Sequence, residues 1–229
     1  SSGTGGIAMM IGDGLTVTGN TVRDSDIAGI GTWDICRNVL ISANVVVGSR
    51  NTGIIVEWNG DWDSRTRDVT VAGNLVSDVA QNAVQVYHGS CGDVVIRGNE
   101  IHRSRTGVRL VDCEGVEVID NRISRMGQDG IRLDGEGDTS CSRILVEGNR
   151  VLNCNLQGIW NSFAGVWIRG KHREVTVRGN AIGNDAQELS IWYDGPAQAA
   201  SITYDCQTLA LRHDGQTVKE LKLADVPVE

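Results

Sequence analysis

The chain has 229 residues, room for one large domain or two small ones, and its 21 Lys+Arg against 29 Asp+Glu leave a formal charge of −8. That balance argues against a duplex nucleic-acid partner, whose phosphates need a basic surface; no apolar run reaches the roughly 18–20 residues of a membrane helix, and no charged-then-apolar leader opens the chain. Its 29 Gly lack the period of three of a collagen, and one Phe beside six Trp means a core of branched aliphatics, which suit sheets better than helices.

The elements follow in chain order. Residues 1–6 are polar and Gly-rich, with no amphipathic segment ahead of the first coil, so a partner chain or domain is expected to cover that end. From there one phrase recurs: two alternating aliphatics, a two-residue gap, Asn, then another aliphatic. It reads LTVTGNTV ending at Val22, VLISANVV at Val46, VTVAGNLV at Val76, VVIRGNEI at Ile101, VEVIDNRI at Ile123, ILVEGNRV at Val151 and VTVRGNAI at Ile182. The Asn residues stand 24, 30, 25, 22, 28 and 31 residues apart, a spacing that means a solenoid or related array.

Eight or nine residues after each Asn comes a small residue, then alternating aliphatics. The copies are Gly29-Ile30, Gly53-Ile54, Ala83-Val84, Gly107-Val108 and Gly130-Ile131; coil six stays open between Gly158-Ile159 and Gly165-Val166, and coil seven reads Leu189-Ser190-Ile191. Each repeat holds three short strands of period two and no helical stretch. Strands this short bury a face only by stacking coil on coil, about 4.8 Å apart, so seven coils make a rod of roughly 30–35 Å. The Asn residues stack in one turn column as architecture.

The cysteines obey the same register. Cys36, Cys91, Cys113 and Cys141 each lie eight residues before an Asn, and Cys154 falls where other coils place Ser25, Ser49 and Ser104. They read as small buried thiols, although adjacent-coil spacing also lets Cys113 bridge to Cys91 or Cys141. His172 falls in the same column; His102 and His213 take no role. After Pro196 the character changes. Ser201–Tyr204, Thr208–Arg212 and Val218–Leu223 read as short strands with a turn at Asp214-Gly215. The expected organisation is a solenoid over 1–195 and a C-terminal capping segment over 196–229.

The unit G-I-x-[VL] … [VI]-x-[VI]-x-x-N-x-[VI] resembles the repeat of the right-handed parallel β-helix, the fold of the pectin-lyase-like superfamily. Its members include pectate and pectin lyases, polygalacturonases, alginate lyases and epimerases, and phage tailspikes. The resemblance covers about residues 7–195 and implies an all-β, single-stranded solenoid of about seven coils, a polysaccharide or oligosaccharide partner, and a secreted or cell-surface location.

Insertions gather after the G-I-x-V strand, which marks its outward face as the binding face. All six Trp fall on that strand or its loops. Trp33, Trp58, Trp62, Trp167 and Trp192, with Arg169, are the expected substrate contacts, since aromatic faces stack on sugar rings. For a lyase or epimerase, which the resemblance implies, Arg109 or Arg132 neutralises a uronate while Tyr87 or His88 moves protons. A glycoside hydrolase on the same face would use Glu57, Asp112 or Asp134, with Asp112 and Asp134 on adjacent coils suiting a retaining pair. Asp61, Asp63, Glu136 and Asp138 offer hard oxygen ligands, so Ca2+ is the cofactor to expect there. A third reading is a non-catalytic glycan-binding or structural rod, such as a surface or tailspike-like segment. The short length and missing N-terminal cap favour it.

Overall fold

The structure, a computed structural model, describes residues 5–57, 66–135, 140–157, 164–183 and Ile191; at 88–90, 192–194, 202–204, 208–213 and 216–222 the description is of the backbone. All regular elements among them are strands, and they stack as a right-handed parallel β-helix with three ladders. The first is a separate seven-stranded parallel sheet of the short strands that follow each Asn, from Thr21–Arg23 to Ala181–Gly183. The second holds the strands after the small residue: Ala28–Thr32, Thr52–Glu57, the starts of Asn82–Arg97 and Thr106–Ile119, Ile131–Asp134, Val166–Arg169 and Ile191–Asp194. The third holds the strands that precede each Asn, such as Arg67–Ala72, Ser142–Glu147 and Arg173–Arg178.

Alternation decides what each ladder buries. On the second ladder Ile54 and Val56, Val84 and Val86, Val108 and Leu110, and Ile131 and Leu133 point inward and are fully buried. Val94 and Ile96 or Val116 and Val118 do the same on the third, and Val46, Val76 and Ile101 on the first. At roughly 1.5–3 kcal/mol for each fully buried aliphatic, these columns are the main stabilising term. The small residue opening each second-ladder strand has a steric reason: a Cβ at Gly107 would lie 2.4 Å from the Gly130 carbonyl oxygen and 2.6 Å from Ile123.

The Asn column saturates its hydrogen bonds. The Asn99 backbone N–H and side-chain Nδ2 both donate to Asn121 Oδ1 at 2.9 Å, and Nδ2 also donates to the Val71 carbonyl at 2.9 Å. Asn74 donates to Asn99 Oδ1 in the same way. The pattern repeats from Asn20 to Asn180. Asp would lose the donor, and Gln would carry its amide one methylene away from these partners. Ahead of each Asn the chain takes left-handed φ, at Gly19, Ala43, Gly73, Gly98, Asp120, Gly148 and Gly179, which explains the small or Asx residues there.

The third-ladder edge carries the cysteine column. Cys36, Thr66, Cys91, Cys113, Cys141 and His172 share one position by register. All five described cysteines are free and buried, and burial pushes the Cys91 thiol up to about 12. His172 is wholly buried. Its Nδ1 accepts from the Cys141 N–H at 3.0 Å and its Nε2 lies 2.8 Å from the Arg169 carbonyl, which makes the ring neutral with Nε2 the donor.

Beyond the seventh coil, Ile202–Tyr204 pairs parallel with the third ladder and Thr208–His213 with the second; Gln216–Lys222 then turns back antiparallel on Thr208–His213. The expected boundary after residue 195 and the turn at Asp214-Gly215 lie outside the described residues.

Asn99→Ala removes the side-chain acceptor of the Asn74 N–H and the side-chain donor to the Val71 carbonyl and Asn121 Oδ1 in a dry column. The expected loss is about 3 kcal/mol, read as a shift in the urea midpoint. Asn20→Ala, at the partly exposed first rung, is expected to lose less than half as much.

Candidate functional site

The second ladder sets two outward columns. Register aligns Gly31, Ile55, Gln85, Arg109, Arg132, Trp167 and Trp192 in one, and Glu57, Tyr87, Val111, Asp134, Arg169 and Asp194 in the next. Coil seven differs from the sequence reading by two residues. Ile191 pairs with Val166, so Trp192 stands level with Trp167 rather than in the Arg169 column. The inward site takes Ile191, fully buried, where the reading had placed Leu189.

The centre is a charge cluster on coils four to six. Arg109 and Arg132 are outward neighbours on adjacent rungs, and Asp134 lies two residues beyond Arg132 on the same face. Arg109 Nε donates to Asp134 Oδ2 at 2.7 Å, and Arg132 Nε to Asp134 Oδ1 at 2.8 Å. The Asp134 side chain is 1% exposed, against 30% for Arg109 and 15% for Arg132. Asp134, expected as a candidate hydrolase carboxylate, thus has both oxygens engaged as the counter-charge to the two neighbouring guanidiniums.

Trp167, expected as a stacking platform for sugar, is 8% exposed, with the Arg132 guanidinium 4.4 Å and the Arg169 guanidinium 5.9 Å from its ring centroid. Rung spacing is a stacking distance, so the cation on coil five covers the indole on coil six. Trp33 is half-buried and folds over Gly31, where a Cβ would meet its ring at 2.5 Å.

Asp129, just ahead of the small residue on coil five, escaped the sequence reading. Other coils place Ala28, Thr52, Asn82, Thr106 and Ala164 there, so its signal was a charge in a column of small or neutral residues. It is wholly buried. Oδ1 accepts from the Ala164 N–H at 2.9 Å; Oδ2 has no hydrogen-bond partner among the described residues and lies 3.8 Å from Arg132 Nη1. Burial, only partly offset by the Ala164 N–H and Arg132, pushes its carboxyl up to about 7.

Beside this cluster opens a pocket of about 200 Å3 lined by Gln81, Asn82, Arg105, Thr106, Arg109, Gln128 and Arg132. Three arginines and no carboxylate line it. Arg105 Nη1 donates to Gln81 Oε1 at 2.7 Å and Asn82 Nδ2 to Gln85 Oε1 at 2.7 Å, so amides hold the walls. A larger groove of about 660 Å3 on the third ladder is edged by Asp68, Asp93, Glu117 and Glu174 around Arg143. Arg143 already pairs with Glu114 at 3.1 Å, and four carboxylates line the groove, so the smaller cationic pocket is the better site for an anion.

The remaining expected residues divide. Tyr87 and Glu57 are rung neighbours, half-buried and each engaged by other groups. Asp112 lies one residue past the Val111–Asp134 rung in a left-handed turn (φ 48), where Oδ1 accepts from the Ser140 N–H at 3.4 Å; the register therefore does not set it opposite Asp134. His88 follows Tyr87 where the register shifts, between Tyr87 and Cys91, and its side chain lies outside the described residues, as does that of Trp192. Trp58, Trp62, Asp61, Asp63, Glu136 and Asp138 also lie outside them.

Three comparisons bear on the fold. The family model described as right handed beta helix region matches residues 1–103 and 64–195. Among solved structures, a variant of the periplasmic alginate epimerase AlgG is 18% identical with a TM-score of 0.62, covering 87% of this chain and 47% of that one. The enzymatically active domain of tailspike protein 2 from bacteriophage CBA120 is 16% identical at 0.63, covering 91% and 35%. The catalytic unit of an α-1,3-glucanase from Streptomyces thermodiastaticus is 14% identical at 0.60, covering 87% and 45%. This chain thus spans less than half the length of each of these three. No curated protein matches.

Asp129 gives a pH signature. Its folded-state value, raised from 3.8 to about 7, means the folded protein holds a proton that the unfolded chain releases between those values. Its contribution is therefore fully present below about pH 4 and lost as pH rises through 7. Urea unfolding across this range is expected to show a falling stability in the native protein and a flatter profile in Asp129→Asn.

Proposed function

We propose, on the premise that the chain belongs to the right-handed β-helix family, that it is a carbohydrate-active protein that cleaves or epimerises a uronic-acid-containing glycan by proton transfer. The observation that carries this reading is the cationic pocket on an acidic chain: Arg105, Arg109 and Arg132 line it without a carboxylate, while the whole chain has a charge of −8. The similar folds bear the names of an alginate epimerase, a glucanase and a tailspike enzymatic domain, which makes glycans the substrates to try first and an extracytoplasmic setting the one to expect.

In this reading the sugar carboxylate docks against Arg109 and Arg132. Their charge withdraws electron density from the carboxylate and acidifies the proton on the adjacent ring carbon. Tyr87 and His88, at the end of the neighbouring strand, are the groups assigned to move that proton. Asp134 is a positioning residue, since it holds both guanidiniums by Nε. Asp129 sets the charge of the site. Counting the three arginines and Asp134, the site carries two positive charges with Asp129 protonated and one with it ionised. Ca2+ at the acidic loops is a proposed bridge to a polyanionic substrate. Trp33, Trp58, Trp62, Trp192 and Arg169 are proposed to extend the sugar contacts along the rod. A hydrolase would need a carboxylate pair, and with Asp134 bound by two arginines and Asp112 in a turn, Glu57 is the member left to supply it.

The test is turnover of a panel of polyuronates, followed at 235 nm for an unsaturated product and by NMR for epimerisation, with and without Ca2+, beside a reducing-sugar assay. Arg132→Ala is expected to lower kcat/KM about 10²–10³-fold. KM for the acidic glycan should rise with pH through about 7 in the native protein and stay flat in Asp129→Asn. Reducing ends from a neutral glycan, without activity on any acidic one, would overturn the reading in favour of a hydrolase.

A further inference from the structure

We propose that Cys113 and Cys141 form a disulfide site that staples two adjacent coils when the chain folds in an oxidising environment. The inference is independent of the proposed function. Cys113 Sγ lies 3.7 Å from Cys141 Sγ, both side chains in the core at 3% and 0% exposure. The register that pairs Glu114 with Ser142 sets their backbones on neighbouring rungs, a spacing of about 4.8 Å that falls inside the Cα range of a disulfide. Bond formation must close the remaining gap from 3.7 Å to about 2.05 Å.

The other cysteines are turned elsewhere. Cys91 neighbours Cys113 on the opposite side, but the register shifts just before it, and its sulfur faces the carbonyls of Tyr87 at 3.4 Å and Val56 at 3.7 Å. Cys36 is separated from Cys91 by Thr66 and faces the carbonyls of Met9 and Trp33. Cys154 lies in the serine column against Gly130. Among the described residues the sulfur-to-sulfur hydrogen bond is that of the 113–141 pair. The hydrogen bond from Cys113 Sγ to Cys141 Sγ pulls the Cys141 thiol down and holds Cys113 up, which favours Cys141 as the attacking sulfur.

The oxidant is an organic disulfide. The Cys141 thiolate attacks one of its sulfurs, and one thiolate leaves as the mixed disulfide forms. The Cys113 sulfur then displaces the second thiolate. The two protein thiols lose two protons and two electrons, and the organic disulfide is reduced to two thiols. The closed loop, from 113 to 141, contains Asp129, Arg132 and Asp134, so the bridge fastens the coil that carries the charge cluster at both ends.

The experiment refolds the full chain from the reduced, denatured state, in parallel, with reduced and oxidised glutathione or with dithiothreitol. Each product is alkylated in denaturant and weighed. The glutathione product is expected to take up alkyl groups on two fewer of its six cysteines. A non-reducing peptide map should link the peptides of Cys113 and Cys141, and the thermal midpoint should rise by several degrees over the reduced form. Cys91→Ala should retain the link and the rise, and Cys141→Ala should lose both. Full alkylation after oxidative refolding, a link that includes Cys91, or a midpoint rise that survives in Cys141→Ala would overturn the proposal.

Discussion

The rung-to-rung stacking distance of a parallel ladder governs this molecule. Each residue has the same position on the next coil for a neighbour, about 4.8 Å away, and must be compatible with it. Asparagine meets that condition with itself, because its amide carries an acceptor for the rung on one side and donors for the rung on the other. Valine and isoleucine meet it by nesting branched side chains. The glycine or alanine that opens each second-ladder strand meets it by leaving room for the next carbonyl. The repeat is therefore visible in the sequence although the coils differ in length, since the variation is confined to the loops between strands.

The same spacing makes charge a special case. Two guanidiniums on adjacent rungs repel by about 1 kcal/mol in a watery setting and about 3 kcal/mol at an effective dielectric near 20. Arg109 and Arg132 are tolerated because Asp134 accepts from both, and the indole on the following rung gives Arg132 a second favourable surface. Once that counter-charge is in place, the cluster is rigid and retains excess positive charge. Under the proposed function, such a cationic pocket on a net-negative chain would favour an anionic ligand through charge and geometry together. Asp129, held behind Arg132 in a dry position, converts pH into a change of that charge near neutrality.

What the sequence disclosed follows the same division. Features that recur from coil to coil were legible: the Asn positions, the aliphatic alternation, the cysteine column with His172 at its end, and the serine positions that Cys154 continues. Features that occur once were not. Asp129 occupies a position that elsewhere holds small or neutral residues, and burial alone gives it its character. Trp167 reads as an exposed aromatic by alternation, but alternation does not say that an arginine lies across the rung. Coil seven slipped by two because an aliphatic at Leu189 satisfies the pattern as well as Ile191 does, and only pairing with Val166 separates them.

The central claim is that the coil-four-to-six face binds an acidic sugar by charge. Isothermal titration of the native protein with an acidic oligouronate and a neutral oligosaccharide of equal length, each at low and high salt, tests it most directly. Binding of the acidic oligomer alone is expected, with an affinity that falls as salt rises. Equal binding of both oligomers without salt dependence, or binding of the neutral oligomer alone, would contradict it.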